Sequence, residues 1–443
     1  MPFKVWLFKI KIMKMSIIIS LSIAILLSNC QKEIITPIPT PTPICIYNCD
    51  TPHFEIVWQR PLSFDTTEWA SQKPTIFGEG VLFTKKMYNE NHDTLKFYNS
   101  QTGNLKWKWT DFLHDDKGFS ISTKNMFEKG GKFLFTTWHE VYSVNATNGT
   151  TNWRYEVPTR EGHPRMNIIG KDIYHIHLDR HSGITYNSYL VKSNIDVMKW
   201  DTIHVQPMIN NFEPIHEMPT AWINPQGDTI LIFQIRYVDF KNIIGTGNRT
   251  DIIAYNVTQK KEYFRFNNID RFGTGSTQPP YVLNDKAYVP LARDIICFNM
   301  LTKSIQWQKD FSANFTSGIP FIFVENKFFI KPDNRALYQI DPETGSELWV
   351  DRDNGSSCSD MIYHDGLLYY ACNGNGKLYA IEVATGKKIW AERSPNQFVN
   401  KFNGFKARSN ANIGDSGVAI NAELGYIYVS DFYFAMCLKL FKR

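Results

Sequence analysis

Short runs in which apolar and polar residues alternate recur through most of this chain, and each run ends in a turn. The clearest copy is Gly366-Leu367-Leu368-Tyr369-Tyr370, then Leu378-Tyr379-Ala380-Ile381, Ala384-Thr385-Gly386 and Lys388-Ile389-Trp390. A period of two gives a strand with two dissimilar faces, and Thr-Gly supplies the positive-φ residue of a tight hairpin. The same grammar returns at Ala336-Leu337-Tyr338-Gln339-Ile340 with Thr344-Gly345 and Trp349, and without the glycine at Ile296-Cys297-Phe298 with Trp307. Earlier copies stand at Val141-Tyr142-Ser143-Val144 with Trp153 and at Leu95-Lys96-Phe97-Tyr98 with Trp107.

Tryptophan therefore marks the repeat, at Trp58, Trp107, Trp153, Trp200, Trp307, Trp349 and Trp390, with steps of 49, 46, 47, 107, 42 and 41 residues. Trp107, Trp153, Trp349 and Trp390 each follow a glycine by four residues (Gly103, Gly149, Gly345, Gly386). The same step back from Trp200 and Trp307 lands on Asp196 and Lys303 in turn-like settings, and Phe264, four after Lys260, fills the long gap. A period of roughly 40 to 50 residues made of short strands predicts an all-β fold, a β-propeller whose repeat is a four-stranded antiparallel blade. After Trp390 three strands remain, around Val418, Ile427 and Cys437, with no tryptophan strand. Phe54-Glu55-Ile56-Val57-Trp58 is a lone outer strand at the other end, so the N-terminal strand is expected to complete the last blade and close a ring of eight. Seven blades are the alternative if the divergent region 205–270 is not a blade.

On these residues the chain resembles the PQQ-type (quinoprotein-like) β-propeller family, whose repeat carries a Leu-Tyr-Ala-Ile-Asp strand, a Thr-Gly turn and an outer-strand tryptophan. The resemblance covers nearly all of 53–443 and implies that the tryptophans dock adjacent blades. It matches Asp341 to the family's turn-opening Asp, with Asn145 and Asn299 as near-equivalents and Glu382 shifted. It also raises a PQQ-dependent oxidoreductase with calcium in the central funnel. Against that reading, no vicinal Cys-Cys occurs and no Glu, Asn and Asp set for calcium can be assigned. No cofactor and no enzymatic activity are expected.

The ends add a location. Residues 1–29 combine Lys4, Lys9, Lys11 and Lys14 with an apolar run from Ile17 to Leu27, shorter than the roughly 20 residues of a membrane span, and predict a signal peptide. Leu27-Ser28-Asn29-Cys30 resembles a bacterial lipobox with Asn29 in place of a small residue, which predicts lipidation of Cys30. Residues 30–52 follow as a tether whose alternate prolines enforce an extended, semi-rigid chain. The formal charge of +5 rests on the leader's lysines, without which the two signs nearly balance, so nucleic acid loses its electrostatic support as a partner. In anchor, repeat type and blade count the chain resembles the BamB-like accessory lipoproteins of the outer membrane. That resemblance implies a lipid-anchored monomeric scaffold for protein–protein interactions, on the periplasmic face or the cell surface. The alternative is a cell-surface lipoprotein that binds a glycan or nutrient.

Candidate chemistry is sparse. In His175-Ile176-His177-Leu178-Asp179-Arg180-His181 alternation puts His175, His177, Asp179 and His181 on one hydrated strand face, a weak metal site because same-face residues are too linear to surround an ion. Cys358 and Cys372 flank His364-Asp365-Gly366; a loop of those three residues sets 358 opposite 372 and predicts a disulfide. Cys45 and Cys49 are a second, local pair, whereas Cys297 and Cys437 are expected free and buried. Arg271-Phe272-Gly273-Thr274-Gly275-Ser276 lacks the following helix a phosphate loop needs, and Asp415-Ser416-Gly417 has no partner base. The loops at 236–250 and 393–414 exceed the repeat, and long loops on a rigid scaffold are where binding resides.

Overall fold

The structure is a computed structural model, and it describes residues 54–62, 73–85, 94–111, 126–137, 140–156, 166–239, 248–270, 276, 278–312, 320–372, 375–393, 413–431 and 434–440. The expected signal peptide, Cys30, the tether with Cys45 and Cys49, the Arg271–Gly275 segment and most of the two long loops lie outside them. The described chain is all strand, arranged in eight antiparallel sheets of consecutive strands. Blades 1 to 7 occupy residues 75–109, 127–156, 166–207, 212–266, 281–310, 321–351 and 362–393. Blade 8 joins Ile413–Asn421, Tyr426–Asp431 and Phe434–Leu440 to the N-terminal Phe54–Pro61. That last strand runs antiparallel along the C-terminal one, from Phe54 opposite Leu440 to Pro61 opposite Phe434. The ring is thereby eight-bladed and has no unpaired seam, and the divergent region 205–270 holds one full blade, 212–266, after the last residues of the outer strand Val197–Pro207 of blade 3.

Among the described residues the core is divided into nine apolar clusters, one at each seam and a second, small one of Ile176, Leu178 and Met218 between blades 3 and 4. Phe97, Trp109, Phe133 and Tyr142 fill the space between blades 1 and 2, and Tyr288, Trp307, Phe328 and Tyr338 that between blades 5 and 6. Phe54, Tyr369, Trp390 and Val429 do the same between blades 7 and 8, and Trp58, Phe83, Tyr98 and Tyr428 between blades 8 and 1.

At each well-formed seam the outer-strand tryptophan lies on the next blade's turn. The turn opens with an Asx motif: Asn99 Oδ1 accepts the amides of Gln101 and Thr102, and the Gly103 amide closes onto the Asn99 carbonyl at 2.9 Å. Asn145 and Asp341 build the same turn in blades 2 and 6. Glu382 stands at the same position relative to Gly386 as Asp341 to Gly345, so it is not shifted; its longer side chain reaches the Thr385 hydroxyl instead. The turn ends on a glycine with φ of 66° to 73° at Gly103, Gly149, Gly345 and Gly386, and the previous blade's indole covers it. A Cβ on Gly103 would lie 2.6 Å from Trp58, one on Gly149 2.6 Å from Trp107, and one on Gly345 2.7 Å from Trp307. The indole nitrogens then donate to the same turn carbonyl: Trp58 to Ser100 at 2.8 Å, Trp107 to Ala146 at 3.2 Å and Trp307 to Pro342 at 2.9 Å. The glycine four residues ahead of a tryptophan is thus a receiver for the preceding blade.

Trp349 keeps the glycine contact but donates its indole N–H to Gln339 Oε1 of its own blade, and three further marks depart from this scheme altogether. Trp153 packs beside Ile195, where the turn from Asn194 to Val197 has no glycine, and its indole nitrogen has no acceptor. Trp200 faces back toward blade 2, with its ring 5.0 Å from Tyr155 and 5.7 Å from His175. Trp390 meets Phe54, since blade 8 has no turn between its last two strands. Phe264 stands in for the missing tryptophan and packs edge-on against Phe298, while Lys303 takes the glycine's place at φ 56° with its ammonium 4.0 Å from the Tyr263 ring.

The docking account predicts unequal costs for two glycines of similar φ. A Cβ on Gly130 (φ 59°) would meet no atom within 4 Å, so Gly130→Ala is expected to cost only backbone strain, about 1–2 kcal/mol. Gly103→Ala adds a collision with Trp58 worth about 1–3 kcal/mol more. Urea denaturation of both variants checks this, and equal losses would remove the docking role.

Candidate functional site

Blades 3 and 4 rise above the rest. Their hairpins use strands of 10 and 11 residues (Asp172–His181 and Ile184–Asn194) and of 11 residues (Thr229–Asp239), against 5 or 4 for second strands such as Lys132–Thr136 and Lys327–Ile330. The register shows where the excess goes. Met166, the first residue of the inner strand of blade 3, pairs with His175, so residues 176–181 run on past that end. In blade 4 the inner strand is split: Thr220–Ile223 pairs with Thr229–Ile232, and Phe212–His216 covers the projecting half from Ile235 to Asp239. Glu217, at the break, is fully buried and ion-paired with Arg236. The result is a two-blade wall on one face of the ring, with Tyr186, Val205 and Ile209 exposed on it.

Polar groups join the two halves of this wall. Ser188 Oγ lies 2.7 Å from His216 Nδ1, and His216 Nε2 lies 2.9 Å from His204 Nδ1. Beyond His204 come Glu262 at 3.8 Å and then Arg265, which bonds Glu262 at 2.6 Å and Asp251 at 3.1 Å. Glu213 accepts the Thr185 amide at 3.0 Å across the same seam. Ser188 and His216 are wholly buried, so this Ser-His-His-Glu chain offers no substrate access and serves as a seam. Burial holds His216 well below the ordinary histidine range; His204 is lowered to about 4 by burial and by Arg265, against the opposing pull of Glu262.

The histidine stripe of blade 3 is divided. His175 and His177 are buried against Tyr155 and Trp200 at the seam with blade 2, so the expected hydrated face does not exist here. Both ring nitrogens of His175 and Nε2 of His177 lack hydrogen-bond partners. Asp179 and His181 pair with each other at 2.9 Å on the projecting, more exposed end, away from the two buried rings. No group of three or more His, Cys, Asp or Glu with metal-holding geometry occurs among the described residues.

Cys358 is disulfide-bonded to Cys372. The hairpin between them has a two-residue loop, Asp365-Gly366, with His364 opposite Leu367, and not the three-residue loop expected; a one-residue slip between 358 and 362 restores the 358–372 bridge. Cys297 and Cys437 are free and buried, and burial raises both thiols to about 12, which leaves them unreactive. Nothing in the sequence signalled Lys331. It is buried, its ammonium donates to the carbonyls of Pro332 (3.0 Å) and Gly355 (2.7 Å), and burial lowers it to about 7. Those bonds tie blade 6 to the segment that enters blade 7.

At the foot of the wall, where the inner strands begin, a cavity of about 290 Å³ opens on the channel axis. Phe127, Met166, Tyr281 and Phe321, each the first residue of an inner strand, line it together with Met218 from the break in blade 4. Asn167, Gln278 and Asp360 are its polar side chains, and no lysine, arginine or histidine lines it among the described residues. A quinone cofactor bearing several carboxylates needs cationic partners. This lining, with one carboxylate and no cation, does not fit it.

The fold is an eight-bladed β-propeller, and its repeat is similar to the PQQ type. The model of the family described as outer membrane protein assembly factor BamB matches residues 248–421, from the third strand of blade 4 through the first of blade 8. The crystal structure of BamB from Moraxella catarrhalis is similar with a TM-score of 0.51 at 12% identity, covering 88% of this chain and 98% of that one. A europium-containing methanol dehydrogenase matches with a TM-score of 0.58 at 10% identity, covering 77% of this chain and 80% of that one. The computationally designed protein Ika8 matches with a TM-score of 0.56 at 10% identity, covering 84% and 96%. No curated protein matches the sequence. An assembly factor, an enzyme and a designed ring share this shape, so function has to be argued from the site.

The buried histidines predict acid lability. The unfolded chain binds protons near pH 6.5, whereas folded His177 and His204 refuse them until about pH 4. Stability is therefore fully present above pH 6.5 and falls as pH drops toward about 4, by on the order of a few kcal/mol in all. Urea midpoints measured from neutral pH to about pH 4.5 should decline across that window, and His204→Gln should flatten part of the slope. A midpoint indifferent to pH would show that these rings are not kept neutral by the fold.

Proposed function

We propose that this protein is a non-enzymatic scaffold, lipid-anchored through Cys30 at the outer membrane, that presents its raised face to protein partners. The observation that carries the reading is the wall of blades 3 and 4, an extended surface on a ring held rigid at eight seams. Its exposed Tyr186, Val205 and Ile209 are the kind of apolar side chain that a partner covers, and such docking requires no catalytic group. The family match to BamB supports the same reading, as does a channel mouth whose lining does not suit a quinone carboxylate. The lipobox-like Leu27-Ser28-Asn29-Cys30 and the proline tether support attachment, on the periplasmic face or the cell surface.

Two measurements test the proposal. Metabolic labelling with an alkyne fatty acid should tag the protein, and Cys30→Ser should abolish the tag and release the chain from the membrane fraction; a membrane-bound, untagged C30S protein would defeat the anchor. Cross-linking in cells followed by mild detergent purification should recover envelope protein partners, and the pair Tyr186→Glu with Val205→Lys should lose them while the melting temperature changes little. Recovery unaffected by that pair would place the docking surface elsewhere.

A further inference from the structure

The channel-mouth cavity has a one-sided chemistry. Asn167 is spent, its amide nitrogen donating to the Pro219 carbonyl at 2.9 Å and its oxygen accepting the Ile168 amide at 2.9 Å. Gln278 Oε1 is buried and has no hydrogen-bond partner among the described residues. The Asp360 side chain takes part in no ion pair among the described residues, and only its main-chain carbonyl is engaged, by the Ser359 hydroxyl. What remains open includes two acceptors, the Gln278 amide oxygen and the Asp360 carboxylate, beside the Gln278 NH2 as a donor, while the Tyr281 hydroxyl can play either part. Three aromatic rings, Phe127, Tyr281 and Phe321, line the same cavity, with Tyr281 and Phe321 edge to face at 6.3 Å and one face of Tyr281 stacked on Phe323 at 4.8 Å. The negative faces of such rings attract a cation, and among the described residues no lysine, arginine or histidine lines the cavity to repel one.

We propose that this cavity is a binding site for an organic cation, an alkylammonium group presented either by a free small molecule or by the lysine side chain of a bound polypeptide. The ammonium sits over the rings, paired to Asp360 and hydrogen-bonded through an N–H, where it has one, to Gln278 Oε1. Met166 and Met218 supply an apolar, deformable wall for the alkyl part. The inference stands apart from the anchoring and docking readings, since it concerns only residues at the foot of the wall.

Titration calorimetry on the full chain in detergent, at low ionic strength, tests it with choline, butylamine and N-acetyl-lysinamide as probes. Dimethylbutanol, the neutral carbon isostere of choline, and butyrate serve as controls. At least one cation is expected to bind about tenfold or more tightly than the neutral alcohol, and butyrate not at all. Asp360→Asn should weaken that cation about tenfold without changing the alcohol, and Tyr281→Leu should weaken it too, with circular dichroism confirming that both variants fold. Preference for choline or butylamine assigns a small-molecule ligand, and preference for N-acetyl-lysinamide assigns a protein side chain. Equal binding of choline and dimethylbutanol, binding of none of the cations, or D360N indistinguishable from the parent would overturn the proposal.

Discussion

Four of the eight seams in this ring are held by one contact, the flat face of an indole against a turn that has no side chain where the indole lies. A blade of four strands cannot bury either of its faces alone, and the apolar clusters accordingly sit at the seams. At those seams the tryptophan sets the spacing, because its ring fills the depth between the outer strand of one blade and the turn of the next. Its hydrogen bond to a turn carbonyl fixes the angle as well. The left-handed φ of the receiving residue and the close approach of the indole both demand glycine, so a single residue type satisfies two constraints.

The seam between blades 3 and 4 shows what happens when that contact is given up. Trp200 turns back toward blade 2, and a chain from Ser188 through His216, His204, Glu262 and Arg265 to Asp251 joins the blades beside the apolar cluster of Tyr174, Leu190, Leu231 and Phe233. Apolar docking is tolerant in height but not in spacing, whereas a polar ladder can be continued along strands of any length. That difference permits these two blades to project beyond their neighbours and so to build the wall beside the cavity. The buried ion pair between Glu217 and Arg236 lies where the inner strand breaks, and the break carries Met218 into the channel mouth.

The legible and illegible parts of this fold follow the same division. Where the clasp is intact, as at Trp307 and Gly345, the sequence states both partners, and the eight-bladed ring with its N-terminal closing strand could be read from spacing alone. Where hydrogen bonds replace it, no fixed spacing survives: Ser188, His204 and Glu262 lie on three different strands and are joined only by the fold. His175 and His177 misled because alternation separates two faces without saying which is wet, and in a propeller both faces of an inner blade strand are covered by neighbours. The cavity was invisible for a related reason, since Phe127, Met166, Tyr281 and Phe321 share only their place at the start of an inner strand.

The outer strand of blade 8 is made of the first residues of the propeller and pairs with the last. Phe54 finds its neighbour at Leu440, and Arg60 reaches forward to the carbonyls of Thr102 and Gly103 in blade 1. During synthesis the earliest strand therefore has no sheet to join until the entire circuit has been made, and it must remain unpaired while seven blades assemble behind it. Loop-closure entropy makes that pairing the slowest of the ladders to form. The order in which this protein is built is thus the reverse of the order in which its ring is secured, and the first strand to appear is the one that turns a row of blades into a circle.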